Sequence, residues 1–97
     1  AIMPIRLIVT MTAAPGKGAE LARAMAPRLA EVRQEPGCQQ YDLFQDTERP
    51  DTLVLLEQWV DQATLDAHSE RNRARGPSAS ADLRGGPSKM ERFTFEP

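Results

Sequence analysis

His68 is the only histidine in this chain and the only side chain whose ordinary titration range lies near neutral pH. Such a group can take a proton from a phenol as a general base, or hold a phenolic oxygen through a hydrogen bond. The plainer reading is a half-exposed helix residue that packs or caps. Leu65 precedes it by three positions and Asn72 follows by four, so the three share one helical face. Asn72 is therefore expected to meet the same ligand as His68. Tyr41 brings a hydroxyl that could orient a substrate oxygen, or satisfy a partner at the edge of the core. Trp59 could offer a stacking wall to a flat aromatic ring, although a tryptophan buries about 150–250 Å² and more often serves the core or an interface.

Other reactive side chains read more quietly. Glu57 lies on an otherwise apolar strand, where a carboxylate rarely sits unpaired. A structural ion pair or a hydrogen bond across a dimer is expected for it, with Arg6 or Arg92 as partner. Cys38 is alone, cannot form a disulfide within the chain, and reads as a small buried hydrophobe. Arg71, Arg73 and Arg75 alternate by two, which fits a solvated helix end; guidance of an anionic substrate is the alternative. No phosphate-binding glycine loop, nucleophile elbow or metal motif is present. No cofactor is expected, because one would have to bind without a recognisable motif.

The elements that must position these groups can be read from periodicity. Ile5, Leu7, Val9 and Met11 alternate along a first strand, and Ala13-Ala14-Pro15-Gly16 breaks it. Leu21, Met25, Leu29 and Val32 then form one apolar helical stripe. Pro27 removes a hydrogen bond inside that helix, so a bend is expected there. Glu35-Pro36-Gly37 ends the helix. Strands over 38–45 and 52–60 flank the polar turn 46–51 and read as an antiparallel hairpin. Asp61 is a suitable N-cap for a second helix over about 62–73. Residues 76–87 hold one large apolar side chain and fit either a short helix or a mobile loop, and 90–95 close the chain as a strand.

The order β-α-β-β-α-β is a ferredoxin-like α+β arrangement: a four-stranded antiparallel sheet with two helices on one face. The other face is bare, and an apolar sheet face is rarely left in water. Pairing it with a twofold copy would bury it, which predicts a homodimer. Small size points the same way, since 97 residues bury only about 60–70% of their extended surface. The chain reads as a single domain over 3–97, with Ala1-Ile2 ahead of a natural start at Met3. A net charge of -2 argues against a general nucleic-acid partner. No apolar run suits a signal peptide or a membrane span, so a cytoplasmic protein is expected.

The chain resembles the antibiotic biosynthesis monooxygenase family over almost its whole length, most strongly from Glu35 to His68. The resemblance rests on Pro36-Gly37-Cys38, Tyr41, Phe44, Glu57, Trp59, Ala63 and His68. It implies a dimeric α+β barrel and, in its enzymes, oxygenation of anthrones and quinols without a cofactor. There the deprotonated substrate reduces O₂ itself, while the protein orients the ring and excludes water. Carried over, His68 would be the catalytic base, with Tyr41, Trp59 and Asn72 on a small aromatic substrate. Many relatives place a second histidine, an aromatic and an apolar helix after the first histidine; here the stretch reads Arg71-Asn72-Arg73-Ala74-Arg75-Gly76-Pro77. A more open pocket follows, and with it a different substrate or no catalysis. The alternative is a non-catalytic dimer that binds a small ligand or serves in redox stress. A haem-degrading relative is the weakest reading, because such members use a histidine further along the second helix with a bulky aromatic nearby.

Overall fold

Alternation along the strands fixes two unlike faces. In β1 (Ile5–Thr12) and β3 (Thr52–Trp59) every second residue is buried, from Ile5 to Met11 and from Leu53 to Trp59. The computed structural model describes residues 3–78 and 80–97. Its sheet has the order β2-β3-β1-β4, with β2 at Cys38–Gln45 and β4 at Lys89–Thr94, and every pairing is antiparallel. This is the expected ferredoxin-like α+β arrangement. Helices α1 (Gly18–Val32) and α2 (Gln62–Arg75) cover one face. Leu21, Met25, Leu29 and Val32 of α1 and Leu65 of α2 share one core with Ile5, Leu7, Leu53, Leu55 and Trp59.

Helix α1 passes through Pro27 as one continuous element and ends at Val32, three residues short of Glu35. Its start has no capping side chain of its own. Asp51, in the β2–β3 turn, accepts hydrogen bonds from the backbone N–H groups of Gly16 (2.8 Å) and Gly18 (3.0 Å) instead. Asp61 caps α2 as expected, accepting from the N–H of Thr64 at 2.9 Å. That helix runs two residues beyond its expected end, because its stop is Gly76 in the left-handed region at φ 72. Among the described residues of the 76–87 segment, the open choice resolves to irregular chain with one 3₁₀ turn, Ala81–Leu83. Strand β4 is an edge strand exposed on both faces.

Gly37 matters most for the site. It has φ 81, and a Cβ there would fall 2.4 Å from the Thr64 side chain. Glycine lets the chain leave α1, turn under the start of α2 and enter β2 in a few residues. Glu35 is thereby brought beneath the middle of α2.

Candidate active site

Helix α2 presents His68 toward the sheet, and the ring is almost wholly buried. It lies against the indole of Trp59, with centroids 4.6 Å apart, and edge-on to Tyr41 at 5.5 Å. Its Nδ1 is 3.1 Å from Glu35 Oε1, and its Nε2 is 3.0 Å from Asn72 Nδ2. Asn72 Oδ1 accepts from Arg28 and from Arg75, each at 3.1 Å. Guanidinium groups only donate, so they fix which end of the Asn72 amide faces them. The amide nitrogen must then donate to His68 Nε2. His68 is therefore held as the neutral tautomer that donates from Nδ1 to Glu35 and keeps Nε2 as an acceptor.

Glu35 is a convergence point. Besides His68, its Oε1 accepts from Arg71 at 2.8 Å. Its Oε2 is buried without a hydrogen bond among the described residues, and Arg75 stands 3.7 Å away. Removing water from a carboxylate is costly unless cations and donors replace it, and here two arginines and an imidazole N–H do so.

A cavity of about 550 Å³ lies between α1, the sheet and the segment after α2. Tyr41 and Asn72 line it, together with Met25, Leu55, Arg28 and Arg75. His68 stands directly behind Asn72 and is not part of the wall. Trp59 has no exposed surface, so it backs the His68 ring instead of facing the cavity. Burial, and then the neighbouring Glu57 carboxylate, push the Tyr41 hydroxyl well above the usual phenol range. Tyr41 is thus a hydrogen-bond donor at any physiological pH. The volume suits a small polycyclic ligand.

Glu57 corrects an expectation. Arg6 lies on the opposite face of the sheet, bonded to Gln40 and Gln58, and Arg92 bonds to Gln62. The partner of Glu57 is the indole of Trp59, whose Nε1 donates to Oε1 at 2.9 Å. The two side chains are neighbours on one strand face. Burial raises the carboxyl of Glu57, against the opposing effect of that hydrogen bond. Burial, then the charges of Glu35 and Glu57, also raise the half-buried Cys38 thiol. That thiol is a weak nucleophile.

The solvated reading of the arginines holds only for Arg73, which pairs with Glu70 on the surface. Arg71 and Arg75 stand three and seven positions after His68, on its own helical stripe, and both turn toward Glu35. That spacing was the available signal. Glu35 and Arg28 carried none, since their roles depend on how α1 meets α2. Among the described residues, no group of three His, Cys, Asp or Glu side chains is placed to hold a metal ion.

The family model for antibiotic biosynthesis monooxygenases matches residues 4–75, which takes in both helices, the first three strands and every residue of this network. The chain belongs to that family. It is similar to the Bacillus subtilis (strain 168) protein named "Putative monooxygenase YcnE", at 34% identity over 62 residues. That match covers 64% of this chain and spans 65%, just under two thirds, of the relative's length. The crystal structure of PA3566 from Pseudomonas aeruginosa is similar at 33% identity and TM-score 0.82, covering 98% of this chain and 96% of its own. A Nitrosomonas europaea protein shares the fold at TM-score 0.80 and 20% identity, over 98% of this chain and 92% of its own. No helix among the described residues is long and apolar enough to cross a membrane.

Proposed function

We propose that the protein is a cofactor-independent monooxygenase that oxidises a small hydroxylated aromatic of the quinol or anthrone type with O₂. One observation carries this reading. A buried, neutral imidazole with Nε2 held as an acceptor lies one side chain behind a half-apolar cavity of about 550 Å³. The family membership and the likeness to a relative named as a monooxygenase support it.

A substrate hydroxyl reaches Nε2 by taking the place of the Asn72 amide. His68 then accepts its proton, and the imidazolium is stabilised through Nδ1–H by the Glu35 carboxylate. The displaced Asn72 leaves Arg75 facing the new phenolate or enolate. That anion gives an electron to O₂, and the resulting pair combines to form a C–O bond. Loss of water then leaves a carbonyl, so an anthrone CH₂ and one O₂ become C=O and H₂O. Tyr41 donates to a ring oxygen throughout. The protein would act as a homodimer closed through the open sheet face, with no nucleic-acid or membrane partner.

Oxygen uptake by the metal-stripped protein, measured against a panel of anthrones and naphthoquinols, tests this. Uptake above autoxidation is expected, falling at least about 10²-fold in His68→Ala. Unchanged uptake in that variant would remove His68 from the chemistry. The sealing of His68 behind Asn72 favours a second reading, a ligand-binding dimer without turnover. Tight aromatic binding with no uptake by any compound would select it.

A further inference from the structure

The cavity is cationic although the chain is acidic. The sequence holds 12 basic and 14 acidic side chains, yet Arg28, Arg75 and Arg84 line this space against Glu31 alone. Arg75 is partly offset, with Nη2 3.8 Å from Glu31 and 3.7 Å from Glu35. Arg28 and Arg84 differ: among the described residues neither has a carboxylate within salt-bridge distance. Among the described residues, the one side-chain acceptor of Arg28 is the neutral Asn72 Oδ1, which it shares with Arg75. Two guanidinium groups on one uncharged oxygen repel each other, and an entering anion would relieve that repulsion. A planar guanidinium with unused donors matches a carboxylate, which can accept two parallel hydrogen bonds. Met25, Pro27, Leu55 and Tyr41 supply an apolar and aromatic wall, and Asn72, Ser78 and Ser80 add neutral polar groups.

We infer that the ligand of this cavity is an aromatic acid, with its ring against Met25, Leu55 and Tyr41 and its carboxylate paired with Arg28 and Arg84. The inference rests on the reading of this cavity as the ring site, and it adds an anionic substituent that oxygenation itself does not require. It gives the polar stretch after His68 a purpose: where an apolar cover would exclude a charged ligand, arginines admit one.

The test is calorimetric binding under anaerobic conditions of 6-hydroxy-2-naphthoate and of its methyl ester, to the wild-type protein and to R28Q/R84Q. The acid is expected to bind at least about tenfold tighter than the ester. That preference should shrink at least about fivefold in the double variant, and in the wild type on raising salt to about 0.5 M. The salt series keeps the test decisive if the variant does not fold. Equal binding of acid and ester, a preference untouched by both salt and the variant, or no binding of either compound would overturn the inference. Because no turnover is measured, acid preference without oxygen uptake would sink the oxygenase reading and leave this one standing. Uptake with equal acid and ester binding would do the reverse.

Discussion

Glu35 decides what His68 can do. A neutral imidazole on a helix face would otherwise be free to turn either nitrogen outward. Here the carboxylate claims Nδ1–H, and the arginine-fixed amide of Asn72 claims Nε2. Replacing Glu35 with alanine would leave the imidazole N–H without an acceptor and Arg71 without its partner. Equilibrium urea unfolding of E35A should show a loss of about 2–3 kcal/mol. Glu57 behaves in the opposite sense. Burial raises its carboxyl, so the folded protein holds the proton more firmly than the unfolded chain does. Stability from this group is therefore greatest below the unfolded carboxylate range and falls as pH rises through the folded value. Glutamine keeps the carbonyl that accepts from Trp59 Nε1–H and removes the charge. E57Q should be more stable than the wild type at neutral pH, with the difference closing near pH ~4. Urea curves across that range would show it; an equal offset at every pH would mean that the charge is not the cause.

Both helices are capped by aspartates, and the two caps show what the sequence could and could not disclose. Asp61 directly precedes the helix it caps, so composition and position were enough to predict it. Asp51 caps α1 from a turn more than thirty residues downstream, and no local rule reaches that far. The same division runs through the site. Strand alternation and the α1 stripe depend on neighbours in sequence, and their elements lie where periodicity placed them. The face shared by Leu65, His68 and Asn72 was legible for the same reason. Glu35 and Arg28 take their roles where α1 and α2 meet, and that packing is not written in any one segment. The indole contact of Glu57, by contrast, joins two side chains on one face of a single strand and was within reach of the same periodicity. Asp61→Ala should cost about 1 kcal/mol. Asp51→Ala removes acceptors from two backbone N–H groups and unties the β2–β3 turn from α1, so a loss of about 1–2 kcal/mol is expected. Hydrogen exchange separates the two: D51A should raise exchange at the start of α1 and D61A at the start of α2.

The uncovered sheet face sets the behaviour of the whole molecule. Phe44 and Val54 are register partners across β2 and β3, and Leu56 and Ile8 across β3 and β1. Phe93 continues this apolar surface onto β4, and both phenylalanines are about half exposed. At one end Arg6, Gln40 and Gln58 bond to one another, so their burial would leave few polar groups unpaired. A surface that is apolar in the middle and internally satisfied at its polar end suits a copy of itself related by a twofold axis. Sedimentation equilibrium is then expected to give about twice the chain mass of 10.8 kDa at micromolar concentration. Leu56→Lys places a charge at the centre of this face while its side chain points away from the helices, so the core is untouched. It should yield folded monomer with a native far-UV spectrum and a melting temperature independent of concentration, whereas the wild type should melt higher as concentration rises. A monomeric wild type would show instead that this small chain is stable with its sheet open to water, and the partner of that face would then have to be sought elsewhere.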